Sequence, residues 1–214
     1  MSNAKKKYYV SNRVKVAKSV SKKSLLLKAG LELFAKKGLK ETTIREIAKL
    51  SKVNSSMISY HYKNKEGLYR ACLKDIGENQ LQFITDILTP AKNKNDYKNK
   101  LTELADKMLE VFDQEKYSGL ILIREFDRVQ SPAADIFKKI FSSTFDQLIT
   151  FFKTAKKNKF ITKDKDEFTL ASFCLGLLFS QMRFDIIKHK IYKKSLQQTR
   201  QRNLFLKQFP QSLM

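Results

Sequence analysis

The stretch TTIREIAKLSKVNSSMISYHYKNKEGL, residues 42–68, sets Ile44, Ile47, Ile58 and Tyr62 among an unusual density of hydroxyl groups. At about 100° of rotation per residue, Ile44, Ile47 and Ala48 share one face of a short helix capped by Thr42 or Thr43. After the turn LSKVN a second short helix opens with Asn54 as its cap. On it Ile58 and Tyr62 fall on one side and Ser56, Ser59 and Tyr60 on the other, flanked by Ser55 and Met57. Small outward hydroxyls let such a helix approach another surface closely, and its free N-terminal amides attract anions. Two short helices, a tight turn and a hydrogen-bonding outer face are what a helix-turn-helix needs to lay its second helix in the DNA major groove. An ordinary helical hairpin with a solvated serine-rich face has the same spacing, so the charge of the chain has to bear on the choice.

The 214 residues include 43 Lys and Arg against 21 Asp and Glu, a net charge of +22, and 42% hydrophobic content supplies a substantial core. Residues 1–70 hold 18 basic and 4 acidic side chains; residues 71–214 hold 25 and 17. This gradient favours a polyanionic partner, nucleic acid or an anionic membrane surface, for the first third. The longest apolar run, LASFCLGLLF at 170–179, is half the ~20 residues that span a bilayer. The opening MSNAKKKYYV lacks the apolar stretch of a secretory signal. A soluble, cytoplasmic protein without membrane contact is expected. Cys72 and Cys174 lie far apart without ligand spacing, which leaves buried structural thiols or oxidant sensing as their roles. No Gly-rich phosphate loop, GxSxG or HExxH occurs, and His61 and His189 are the only histidines. The sequence therefore predicts no enzyme, no cofactor and no metal site.

Apolar residues recur at i, i+3, i+4 and i+7 with 3 prolines and 6 glycines in the whole chain, which predicts an all-α fold of about nine helices. Residues 1–20 read as a basic, partly disordered arm, either solubilising or reaching for the minor groove. The first helix is expected over 21–37, ending at Gly38. A longer one over 65–88 has Asn64 as cap, and PAKNKNDYKN follows as a polar connection. Further helices are expected from Leu101, over 118–129, from a Ser131 cap to Lys157, from a Thr162 cap to His189, and over 193–209. This places a helix-turn-helix domain at 21–70 and a larger, more neutral bundle at 71–214.

Residues 24–73 resemble the DNA-binding domain of the TetR (tetracycline-repressor) family of bacterial transcription regulators. The matching features are Leu33-Phe34, Gly38, Thr42-Thr43, Ile47-Ala48, Val53-Asn54, Ile58, Tyr60-His61-Tyr62 and Lys65-Glu66-Gly67-Leu68. Ser56 stands where glycine is frequent, Ser59 where a DNA-contacting tyrosine is usual, and Lys52 at a turn position often glycine. The resemblance implies that Thr43, His61 and Lys65 meet phosphates, while Ser55, Ser56, Met57, Ser59 and Tyr60 face the groove behind the Asn54 cap. His61 as a packed core residue remains the alternative.

The resemblance further implies that the bundle at 71–214 binds a small-molecule effector and dimerises through the last two long helices, here 163–189 and 193–209. The expected function is a repressor that binds a palindromic double-stranded DNA operator as a homodimer. The alternative is an architectural, nucleoid-type DNA-binding protein without an effector. Polar residues inside apolar stretches mark candidates for the effector pocket: Arg124 and Asp127 in LILIREFDRV, and Gln181, Arg183 and Asp185 in FSQMRFDII, with Phe126 and Met182 as walls. Each also reads as a structural ion pair or a surface residue.

Overall fold

Why the chain turns where it does is answered largely by four local devices near its start, seen in a computed structural model that describes residues 21–114, 116–126 and 131–214. The expected arm at 1–20 and the candidate Asp127 lie outside the described residues. Helix α1 (Lys22–Glu41) opens on Ser21, whose side chain accepts from the Ser24 N–H at 3.1 Å. It breaks at Gly38, at φ 86°, a conformation that disfavours any side chain, where the sequence placed its end, and a separate turn follows to Glu41. The buried Thr42 hydroxyl donates to the Gly38 carbonyl at 2.7 Å and fixes that corner. Of the two candidate caps Thr43 is the one used. It forms a reciprocal capping box with Glu46 at the start of α2 (Ile44–Ser51).

Lys52 closes α2 in the left-handed region, φ 55°, its N–H directed to the carbonyls of Ala48 and Lys49. Asn54 then accepts from the Ser56 N–H at 2.9 Å and starts α3 (Ser56–Tyr62). Asn64 does the same for Gly67 at 2.7 Å, at the head of α4 (Lys65–Ile87). Leu26, Phe34, Ile47, Ile58 and Leu68 are wholly buried and form the core of a compact unit that ends at Leu68. Gly30 lets α1 lie close against Leu68, since a Cβ there would stand 2.9 Å from Leu68 Cδ2 and push that side chain aside. Leu27 and Leu33, expected inside, are half-buried.

The second compact unit, Tyr69–Met214, holds the rest of α4, α5 (Lys94–Gln114), α6 (Lys116–Phe126), α7 (Ala134–Lys157), α8 (Glu167–Tyr192), α9 (Thr199–Gln208) and a 3-10 turn at Phe209–Leu213. The described residues thus form nine α-helices and one 3-10 helix, without a strand. None of these helices is long and apolar enough to cross a membrane.

The helix expected to open on Ser131 begins instead at Ala134, Ser131 Oγ accepting from the Ala133 N–H at 3.0 Å in the turn before it, and three further boundaries move through identifiable caps. The polar connection is shorter than expected, because Asn93 accepts from the Asp96 N–H at 2.9 Å and Asp96 from the Lys92 N–H at 2.8 Å, starting α5 within it. Asp166, not Thr162, caps α8 and accepts from Thr169 N–H at 2.7 Å. The expected helix at 193–209 is broken. Lys193 turns left-handed, and buried Asp185 accepts from the Ser195 hydroxyl at 2.6 Å and the Leu196 N–H at 2.7 Å, leaving α9 only 10 residues long.

The bundle core centres on Tyr97, whose ring stacks on Phe151 at 5.4 Å and whose hydroxyl donates to the Leu213 carbonyl at 2.9 Å. The C-terminal turn is thereby pinned to α5. α4 and α7 touch at Gly77, where a Cβ would lie 2.1 Å from Ile140 Cδ1.

Candidate nucleic-acid interface and bundle pocket

On α3 the side chains divide as a reading helix requires. Ile58 is fully buried and Tyr62 nearly so, its hydroxyl donating to the Lys23 carbonyl at 2.8 Å, which ties the helix to the start of α1. Asn54, Ser55, Ser56 and Ser59 are exposed, Met57 and His61 half-buried, and Tyr60 is 78% exposed, a large ring held in water. His61 meets the rings of Tyr60 and Tyr62 edge-on at 4.9 and 6.2 Å, so it is neither a core residue nor free of neighbours. Around this face Lys40, Arg45, Lys49, Lys52 and Lys63 are exposed.

Two residues expected at phosphates already have local work. The N–H and hydroxyl of Thr43 both donate to Glu46 Oε2, each at 2.9 Å, so a phosphate there has to displace that carboxylate. Lys37 also pairs with Glu46, and the Lys37 hydrogen bond, with those from Thr43, lowers the Glu46 pKa from 4.5 to about 2. The Lys65 ammonium donates to the carbonyls of Thr42 at 2.7 Å and Lys40 at 3.2 Å, which uses two of its three protons to hold the corner between α1 and α2.

In the bundle, Phe126 meets Phe137, Phe141 and Phe179 edge-to-face with centroids 5.1, 5.7 and 4.6 Å away. Behind these rings lies a narrow void, about 10 Å³, which Gln80 of α4 and Thr144 of α7 also line. Both are more than nine-tenths buried, and Gln80 Oε1 and Thr144 Oγ1 have no hydrogen-bond partner. On the outer side of Phe126 and Phe179 an open groove of about 270 Å³ is lined by Ile123, Ser180, Arg183 and Phe184. Nearer the head of α4, the Tyr69 hydroxyl donates to buried Glu125 at 2.5 Å, and Ser131 donates to the other carboxylate oxygen. Arg70 grips Asp135 with both guanidinium nitrogens, at 2.6 and 2.7 Å, and holds that carboxyl at a pKa of about 2.

Residues 26–72 match the family described as bacterial regulatory proteins, tetR family. Those residues form a DNA-binding domain of the tetR type. The chain is 39% identical over 59 residues to a probable HTH-type transcriptional regulator, YttP, of Bacillus subtilis, a match covering 28% of each chain. The aligned stretch thus spans under a third of that relative. The fold is shared with the fatty acid degradation regulator FadR of Bacillus halodurans, at TM-score 0.74 and 15% identity over 92% of this chain and 96% of that one. It is also shared with FadR of Bacillus subtilis, solved in complex with stearoyl-CoA, at TM-score 0.67 and 16% identity over 78% and 89%.

Of the residues expected to contact an effector in the bundle, Phe126 lines the aromatic site, and Arg124 sits half-buried beside it in sequence. Arg183 lines the outer groove beside Phe126, and Met182, Gln181 and Asp185 are placed elsewhere. Met182 is a core residue, Gln181 accepts from the Lys188 ammonium at 2.9 Å, and Asp185 caps the turn before α9. Gln80, Thr144 and Glu125 were not singled out, although Gln80 and Thr144 each interrupt an otherwise apolar helix stripe: Leu73, Ile76, Gln80, Phe83 and Ile140, Thr144, Leu148, Phe151. Cys72 and Cys174 are buried, and burial pushes both thiols up, which disfavours the thiolate an oxidant sensor needs. Among the described residues no group of His, Cys, Asp and Glu is arranged to hold a metal ion.

Proposed function

We propose that this regulator binds a palindromic operator as a cytoplasmic homodimer, represses transcription, and is released by a small molecule held in its C-terminal bundle. The observation that carries the reading is the outer face of α3, where Ser55, Ser56, Ser59 and Tyr60 stand in water while Ile58 and Tyr62 anchor the helix from behind. Base edges are met by those hydroxyls, with Met57 against a thymine methyl; His61, Lys65 and Thr43 sit where the phosphate backbone passes, and Asn54 holds the cap. The α3 face carries no Arg or Gln, so discrimination draws on groove shape and bridging water.

The dimer reading rests on α8. Phe173, Gly176, Ser180, Phe184, Ile187 and Ile191 recur at three- and four-residue intervals, and the four large ones are 56, 54, 54 and 63% exposed. Gly176 and Ser180 form a narrow waist in this apolar stripe, and a Cβ on Gly176 would meet nothing within 4 Å. A second copy of the stripe suits it, since two half-sites about 34 Å apart call for two-fold pairing. The expected second dimer helix at 193–209 contributes less, its exposed apolar residue being Leu204. FadR of Bacillus subtilis holds stearoyl-CoA, and that likeness supports a small-molecule site in this bundle, without fixing the molecule.

The net charge of +22 favours a second reading, an architectural protein that coats DNA without an effector. Binding to palindromic and random duplexes across a salt series separates the two. The repressor reading expects a sequence preference that persists as salt rises and falls in Tyr60→Ala; equal affinities for all duplexes at every salt would refute it.

A further inference from the structure

Four threonines of the bundle helices share a way of satisfying their hydroxyls that Thr144 lacks. Thr85, Thr102, Thr150 and Thr154 each donate to the carbonyl four residues back, at 2.8 to 3.0 Å. Thr144, only 3% exposed, has no partner for its hydroxyl, nor has Gln80, 8% exposed, for its amide oxygen. Leaving two such atoms dry is costly, and both line one void behind the phenylalanine cluster. None of the side chains around that void is charged: Leu122, Phe126, Phe137, Ile140, Phe141, Leu175 and Phe179 complete the wall. A carboxylate or phosphate entering it would lose its hydration with no cation to replace it. The outer groove meets the void at Phe126 and Phe179, and its volume of about 270 Å³ suits a small ligand.

We infer that the effector is a small neutral aromatic alcohol of the phenol class, its ring among Phe126, Phe141 and Phe179 and its hydroxyl bonded to Gln80 and Thr144. A phenolic O–H donates to Gln80 Oε1 while its oxygen accepts from the Thr144 hydroxyl, so one group completes both. The edge-to-face packing already present among the phenylalanines is the environment an inserted ring prefers. Because Gln80 belongs to α4, the helix that continues from Lys65 after the reading helix, the ligand's polar atom acts directly on that element.

This inference rests on the proposed effector-responsive function, and the test separates the two. The full-length chain is titrated by calorimetry with 4-propylphenol, propylbenzene, 4-propylbenzoate and stearoyl-CoA, at a fixed protein concentration because Phe184 belongs to both the groove and the α8 stripe. Duplex affinity is measured in parallel. Binding of 4-propylphenol about tenfold or more tighter than propylbenzene, with the benzoate weaker still, is the expected result. Thr144→Val and Gln80→Leu retain propylbenzene binding and lose the tenfold preference. Benzoate or stearoyl-CoA binding as tightly as the phenol, no phenol binding below millimolar, or a preference unchanged in Thr144→Val overturns the inference. In that last case a buried water is what completes the two atoms. Phenol binding that leaves duplex affinity unaltered upholds the ligand class and refutes the effector role; duplex release by an anion alone does the reverse.

Discussion

Replacing Phe173 by Glu tests the proposed dimer at its most exposed point on α8. Phe173 keeps 56% of its surface in water, on the order of 110 Å² for a ring side chain of about 200 Å². At about 25 cal/mol per Å², covering it contributes about 2.5 to 3 kcal/mol, and two-fold symmetry doubles this to about 5 to 6 kcal/mol. Loss of that burial raises the dissociation constant of the dimer by roughly four orders of magnitude, before the desolvation of two carboxylates adds to it. The isolated protomer is indifferent to the change, because glutamate is a better helix former than phenylalanine and the site is already solvated. Sedimentation velocity over a dilution series therefore shows a wild-type dimer and a Phe173→Glu monomer with unchanged helical circular dichroism. A variant that dimerises like the wild type, or a wild type that is monomeric at tens of micromolar, refutes the reasoning. Loss of the helical signal in the variant alone would refute the claim that Phe173 is outside the protomer core.

Glu46→Gln removes a carboxylate whose pKa falls from 4.5 to about 2 in the folded state, chiefly through the Lys37 and Thr43 hydrogen bonds. A depressed pKa stabilises above the unfolded value and loses its effect as pH falls through the folded one, so the wild-type advantage in urea midpoint is full above about pH 4.5 and gone near pH 2. A constant difference between pH 6 and pH 2 would contradict this. Gly77→Ala puts a methyl 2.1 Å from Ile140 Cδ1, and overpacking of about 1–3 kcal/mol outweighs a helix-propensity gain of about 1 kcal/mol. In an Ile140→Ala background the same methyl fills space, so Gly77→Ala changes sign and stabilises; additive denaturation midpoints would show that the two residues do not press on each other.

The helix-turn-helix was legible in the sequence because the devices that start and stop its helices are local. Gly38, Thr43 and Asn54 act on backbone groups two to four residues away, and the alternation of Ile58 and Tyr62 with Ser59 and Tyr60 is a property of one helix. The bundle pocket was not, because its signature lies in what Gln80 and Thr144 lack. A polar residue in an apolar stripe reads as a pair or a cap until the neighbouring helix is in place, and only then does the missing partner show. Asp185 shows the same difficulty from the other side. Its position in FSQMRFDII suggested a ligand contact, but the groups it binds, Ser195 and Leu196, are ten and eleven residues further on and break the helix that periodicity predicted there.

Along α4, Arg70 grips Asp135, Tyr69 meets Glu125, Gly77 lies against Ile140 and Gln80 faces the aromatic void. These four positions span three turns of one unbroken helix; the partners of the first three sit on α6 and α7, and the void before Gln80 is lined also by Leu175 and Phe179 of α8. A ligand shifts a conformational equilibrium only by its different affinity for the two states. Completing Gln80 and Thr144 contributes about 1–3 kcal/mol in whichever state brings both to the ligand, a shift of about 5- to 150-fold. Exposed ion pairs such as Arg70 with Asp135 contribute at most about 1 kcal/mol, so that contact orients the helix without locking it.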